Sequence, residues 1–200
     1  YRQYQDEKKW LRHKYPPNSK CRVSVLGLGQ TGLDACRRLC DLGFDVTGWA
    51  RSQKQIDGVR CLAGEESFET VAAEADILVN LLPLTPDTKE LLDAAVFNRM
   101  PKGAFLINVS RGMTIVDADL IAALDSGQIE AAALDVFREE PMPADNPYWT
   151  HPAVSVTPHA AAPLPQGPSC WVLLPLLPRA PRQGAVAPPM LQPRRLPRLV

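Results

Sequence analysis

The stretch VSVLGLGQTG, Val23 to Gly32, decides how this 200-residue chain is read. Its glycines, Gly27, Gly29 and Gly32, stand in the spacing G-x-G-x-x-G. The spacing alone is a weak signal, because glycine is common and short patterns recur by chance; the flanks give it meaning. Before it, Val23, Val25 and Leu26 make an apolar run suited to a buried parallel strand. After it, Leu33, Cys36, Leu39 and Cys40 recur at helical spacing. The predicted order is strand, tight turn, helix. Gly27 then permits the turn, Gly29 lets the backbone approach a pyrophosphate, and Gly32 lets the helix pack close to the strand. The helix start turns free N–H groups and its positive dipole end towards phosphate.

Which dinucleotide is expected depends on the end of the second strand, about twenty residues on. That strand reads FDVTGW, Phe44 to Trp49, and is followed by Ala50, Arg51, Ser52 and, two further on, Lys54. A carboxylate there would accept bonds from a free ribose 2′-hydroxyl and repel a 2′-phosphate. None is present. Arg51 instead offers a planar fork of donors to a phosphate, and Ser52 adds a hydroxyl. NADP(H) is the expected cofactor.

The alternation continues outward. EESFETVAAEA, DAAVFNRM and DADLIAALDSG read as helices. Residues 76–82, 103–109, 131–137 and 153–157 read as strands. Strands separated by helices predict an α/β fold, a doubly wound parallel sheet of Rossmann type. The expected division is residues 1–20 as an approach segment, 21–162 as the cofactor domain and 163–200 as a tail.

Composition excludes several classes. The tail holds five arginines, no acidic residue and ten of the twenty prolines, so the remainder is net acidic. That body offers no basic patch for nucleic acid. No uninterrupted apolar run of about 18 residues suggests a membrane span. The five cysteines include no C-x-x-C pair, which suits a reducing cytoplasm; Cys36 and Cys40 are expected in the core, and no metal site is expected. His13 and His151 are expected to be ordinary loop or surface residues.

In doubly wound sheets, ligands sit beyond the carboxyl ends of the strands. Those ends carry Pro83 and Thr85, then Ser110 and Arg111, then Asp135 and Glu140, then His159. Hydride chemistry on a small 2-oxo acid needs a cation to orient the carboxylate, and Arg111 can do so with two parallel bonds. It needs a proton donor, and a histidine such as His159 can serve as one. Glu140 beside that histidine would favour the protonated ring and fix its orientation.

The segments GLGQTG, LLPLTPDT, INVSRGMTIVDADLIAALDSGQIEAAALDVFREEP and HPAVSVTPHAAA resemble the cofactor domain of the D-isomer-specific 2-hydroxyacid dehydrogenases. GWARSQK and DNPYWTHP are most similar to the NADPH-dependent glyoxylate/hydroxypyruvate reductase A branch. The resemblance implies that Arg111 binds the carboxylate of a small 2-oxo acid, that His159 is the acid/base and that Glu140 is its partner. It further implies that Gln30 and Thr31 contact the pyrophosphate and that Asp135 meets the nicotinamide carboxamide. Leu82, Pro83, Val109 and Ser110 would line the cofactor, with Arg111 and His159 also among its contacts. Full-length relatives are expected to be homodimers. A non-catalytic nucleotide sensor of the same superfamily is the alternative.

Two departures from the family pattern stand out. Only about twenty residues precede the first strand, so the substrate domain is expected to be missing and this chain alone to turn over little. After TPHAAA the text becomes PLPQGPSCWVLLPLLPRAPRQGAVAPPMLQPRRLPRLV, too rich in proline for helices or central strands. It is expected to be a disordered, shifted reading frame entered near Ala162, with a Pro-rich interaction segment as the alternative.

Overall fold

The structure is a computed structural model that describes Gln5, residues 7–10 and residues 16–161. The expectations for the 163–200 tail, and for most of the first fifteen residues, lie outside these. Seven strands form one parallel sheet in the order β3-β2-β1-β4-β5-β6-β7. They are β1 (Arg22–Leu26), β2 (Asp45–Ala50), β3 (Arg60–Ala63), β4 (Ile77–Asn80), β5 (Ala104–Asn108), β6 (Ile129–Leu134) and β7 (Val154–Val156). Four helices connect them: α1 (Gln30–Asp41), α2 (Glu65–Glu74), α3 (Ala94–Arg99) and α4 (Asp117–Asp125). The order reverses between β1 and β4, and that switch point places a crevice beside the glycine turn.

Alternating strand side chains feed two cores. Val23 and Val25 of β1, with Val46 of β2, pack with Cys36 and Leu33 of α1. Leu26 and Leu78 pack with Val71, Val96, Phe97 and Leu120 from α2, α3 and α4. Each expected strand and helix is present within a few residues of its expected bounds. The sequence reading missed β3, a short edge strand that pairs with β2 from Thr47↔Arg60 to Ala50↔Ala63. Its Arg60-Cys61-Leu62-Ala63 is too short and too polar to show a strand period.

One further expectation, that of Cys40 in the core, needs correction. Cys36 is fully buried, and burial pushes its thiol up to about 12, so it is an inert core residue. Cys40 is only partly buried, with its thiol directed at the Gly58 carbonyl. One helical turn further along α1 already reaches the helix margin. His151 lies in a loop, as expected, with its side chain only 10 % exposed. Its Nδ1 accepts from the Ala153 N–H, and Nε2 lies 3.3 Å from Asp125. This holds the entry into β7.

The amino ends of β1 and β4 are clamped by a two-point ion pair. Arg22 Nη2 and Nε reach Asp76 Oδ1 and Oδ2 at 2.6 and 3.1 Å, and the Arg22 N–H donates to Oδ2. The Arg22 hydrogen bonds hold the Asp76 carboxyl below the usual range. A folded pKa below the unfolded one means that the pair contributes fully above the unfolded value. The contribution is lost as pH falls through the folded value. Because the Asp76 side chain is 33 % exposed, screening limits it to about 1 kcal/mol. Asp76→Asn is expected to lower Tm by about 2–4 °C at pH 7, with the two melting curves converging in acid. A gap undiminished in acid would contradict this origin.

Candidate functional site

The site grows from the glycine turn. Gly27 has φ +96 and donates its N–H to the Trp49 carbonyl at 2.8 Å, which ties the turn to the end of β2. A Cβ on Gly27 would lie 2.7 Å from the Leu81 oxygen, and one on Gly32 would lie 1.9 Å from the Gly27 oxygen. The turn, the start of α1 and the end of β4 are therefore in backbone contact. Around Gly29 the situation is opposite, with nothing within 4 Å of an added Cβ. This open cradle faces the start of α1, where Leu33 N is the first to bond back, to Gly29 O. The N–H groups of Gln30, Thr31 and Gly32 precede that bond and lack intrahelical partners. The space and the donors fit a pyrophosphate.

Arg51 and Ser52 follow β2 directly and are exposed. Among the described residues neither side chain, nor those of Gln30 and Thr31, makes a hydrogen bond or ion pair. The loop carrying Arg51 is steadied from behind. Trp49 donates Nε1–H to the Gly64 carbonyl at 3.0 Å and meets Phe68 edge-on at 5.2 Å.

Further along the carboxyl edge, β4 and β5 end on asparagines that face each other in register, Asn80↔Asn108. Asn80 Oδ1 accepts from the Leu82 N–H, while Nδ2 donates to Asn108 Oδ1 and Thr114 Oγ1. Asn108 also accepts from the Ser110 N–H and donates to the Arg111 carbonyl. The Ser110 hydroxyl donates to the Leu82 carbonyl. The backbone at Leu82, Val109 and Ser110 is thus laced into one ledge beside the glycine turn. Sequence reasoning missed Asn80, Asn108 and Thr114. The available signal was the parallel pair ILVNLL and FLINVS, each an apolar run stopping at Asn.

Arg111 is exposed at the end of this ledge, with Nη1 donating to the Ser110 carbonyl at 2.7 Å. Gly112 packs against the next loop so closely that a Cβ would fall 1.9 Å from the Phe137 carbonyl carbon. That loop is held by Arg138, which bridges Glu90, Asp117 and the Ile115 carbonyl. Glu140 accepts from the Phe137 N–H through Oε1 at 2.9 Å, and its Oε2 lies 2.8 Å from His159 Nδ1. Burial pushes the Glu140 carboxyl up, but the hydrogen bonds from His159 and Phe137 outweigh it and leave it below the ordinary range. An ionised carboxylate only accepts, so Nδ1 carries a hydrogen and Nε2 is the free ring nitrogen.

His159 has φ +50, in the left-handed region, and its N–H donates to the Asp135 carbonyl at 2.8 Å. The Asp135 carboxylate, 3 % exposed, accepts from Thr157 Oγ1, Ala160 N and Ala161 N. One residue at the end of β6 therefore holds the His159 loop through both backbone and side chain. Strained backbone of this kind persists only where its surroundings over-determine it. Arg111, Glu140 and His159 follow β5, β6 and β7, three neighbouring strands. The structure thus brings the expected cation, acid/base and carboxylate to one edge. Among the described residues no metal-ligating cluster occurs and no helix is long and apolar enough to cross a membrane.

The family model of the D-isomer specific 2-hydroxyacid dehydrogenase NAD-binding domain matches residues 1–161. The chain belongs to that family. It is 40 % identical over 162 residues to a glyoxylate/hydroxypyruvate reductase A of Yersinia enterocolitica, covering 81 % of this chain and 52 % of the relative. A relative of the same name from Serratia proteamaculans is 41 % identical over the same shares. The chain spans about half the length of these curated relatives. A D-isomer specific 2-hydroxyacid dehydrogenase of Xanthobacter autotrophicus, solved with NADPH and MES, superposes with TM-score 0.79 at 43 % identity, covering 82 % of this chain and 67 % of that one. An NADPH-dependent glyoxylate/hydroxypyruvate reductase of Sinorhizobium meliloti, solved with NADP and sulfate, gives 0.77 at 36 % identity, covering 81 % and 52 %. These two solved relatives share the fold described above.

Proposed function

We propose that this chain is the NADP(H)-binding domain of a reductase that converts a small 2-oxo acid, glyoxylate or hydroxypyruvate, to the 2-hydroxy acid. The observation that carries this is the 2.8 Å His159–Glu140 pair, one strand end from Arg111 and on the same sheet edge as the glycine cradle. The names of the Yersinia and Sinorhizobium relatives support the substrate class, and the NADPH of the Xanthobacter and Sinorhizobium proteins supports the cofactor.

The residues divide the work. Gln30, Thr31 and the start of α1 receive the pyrophosphate. Arg51 and Ser52 receive the 2′-phosphate. Leu82, Pro83, Val109 and Ser110 would line the bound cofactor, and Asp135 would meet its nicotinamide carboxamide. The bound cofactor supplies hydride. Arg111 orients the 2-oxo acid through its carboxylate. His159 gives the Nε2 proton to the developing alkoxide, while Glu140 holds the ring through Nδ1.

Turnover also requires the acid to be held against the nicotinamide and shielded from water. The His159 and Glu140 side chains are 47 % and 36 % exposed among the described residues. The 200-residue chain by itself is therefore expected to transfer hydride slowly. A sensitive test is deuterium transfer from C4-deuterated NADPH to glyoxylate, read by mass spectrometry of the glycolate. Labelled glycolate that disappears in Arg111→Ala supports the proposal. No label at saturating NADPH contradicts it.

A further inference from the structure

We infer that Asn80, Asn108 and Thr114 form a closed polar ring that positions Arg111, and are positioning residues of the 2-oxo acid site. The inference rests on the reading of Arg111 proposed above. All three residues are completely buried. Burying two amides and a hydroxyl is unfavourable unless every group finds a partner, and none of their polar atoms is left without one. The bonds run in one direction. Asn80 Nδ2 donates to Asn108 Oδ1 at 3.0 Å and to Thr114 Oγ1 at 2.8 Å. Both recipients then donate to the same acceptor, the Arg111 carbonyl, at 3.3 and 2.7 Å. The Thr114 N–H adds a third donor to that oxygen at 3.2 Å.

The ring grips the chain on both sides of Arg111. Asn108 Oδ1 holds the Ser110 N–H, and the Ser110 hydroxyl is tied to the Leu82 carbonyl. The Arg111 carbonyl is held by three donors. Among the described residues the guanidinium itself has one protein bond, to the carbonyl of its own neighbour. Its place is therefore set by its backbone, and the backbone by the ring. Asn80 acts on Arg111 from a different strand, through groups that touch no substrate.

Thr114→Val keeps the side-chain shape and removes the hydroxyl; Thr114→Ser keeps the hydroxyl. Asn108→Asp removes the Nδ2 donor at nearly constant shape and serves if the valine variant folds poorly. Arg111–Gly112 is the only Arg-Gly step in the chain. Carbonyl-13C arginine combined with 15N glycine therefore gives a single correlated NMR signal for the Arg111 carbonyl. It is expected to move upfield in Thr114→Val and Asn108→Asp, and to return in Thr114→Ser. Oxamate, a 2-oxo acid mimic, is expected to bind the cofactor complex of the valine variant about ten- to a hundredfold more weakly, with NADPH affinity unchanged and the serine variant restored. An unmoved carbonyl signal overturns the inference. So does a moved signal with unchanged oxamate affinity, or a fall in Tm alone. If the wild-type cofactor complex binds no oxamate, the proposed function fails, and the carbonyl signal alone decides whether the ring holds Arg111.

Discussion

Gly32→Ala is expected to weaken dinucleotide binding about a hundredfold while Gly29→Ala leaves the fold untouched. The Gly32 methyl would sit 1.9 Å from the Gly27 oxygen, a backbone atom that cannot rotate away. Gly27 cannot retreat, because the Leu81 backbone lies behind it and its N–H is bonded to Trp49. The start of α1 must then swing off β1. Overpacking of this kind costs about 1–3 kcal/mol. It also withdraws the first-turn N–H groups from the pyrophosphate position. A loss of about 3 kcal/mol in those contacts is about a hundredfold in affinity. At Gly29 the φ is −73 and the space is open, so an added methyl meets only what is bound there. Thermal melts and NADPH fluorescence titrations of both variants check this. Wild-type binding by Gly32→Ala would show that the turn is not the cradle.

In a full-length enzyme carrying this domain, His159→Ala is expected to lower 2-oxo acid reduction by about 10²–10⁴-fold, the usual contribution of a general acid. NADPH affinity should change far less, because the glycine turn, Arg51 and Ser52 are left intact. Glu140→Gln should also slow reduction. Its amide carries no charge to complement the protonated ring, and it weakens the grip on Nδ1 and on the Phe137 N–H. Arg111→Ala should act differently, through lost binding and orientation of the acid. Steady-state rates over a range of 2-oxo acid concentrations separate these effects. A His159→Ala protein that reduces hydroxypyruvate at the wild-type rate would remove it from the proton-donor role.

Much of the fold was legible because the chain punctuates itself. Apolar runs such as LVNLL and FLINV are long enough to stand out, and acidic starts and glycine stops frame helices such as α4. The short edge strand β3 was not legible, since an edge strand needs no apolar alternation and Arg60 sits inside it. At the site, Arg51, Arg111, Glu140 and His159 could be read because each follows a strand and carries charge or a titratable ring. The ring of Asn80, Asn108 and Thr114 could not. Neutral amides at strand ends look like loop onset, and their meaning appears only once parallel pairing sets Asn80 opposite Asn108. The hold of Asp135 on the His159 loop was hidden for the same reason, since its partners lie more than twenty residues away.

The most direct test of the central claim is the cofactor preference of this chain. NADPH and NADH are titrated against the wild type and Arg51→Ala, with quenching of protein fluorescence as the signal. Among the described residues the side chains of Arg51 and Ser52 are unpartnered where β2 ends, and a charge-assisted phosphate pair is worth about 1.5–3 kcal/mol. The wild type should therefore bind NADPH about ten- to a hundredfold more tightly than NADH, and Arg51→Ala should erase most of that difference. Equal affinities for the two cofactors in the wild type, or binding of neither, would contradict the account.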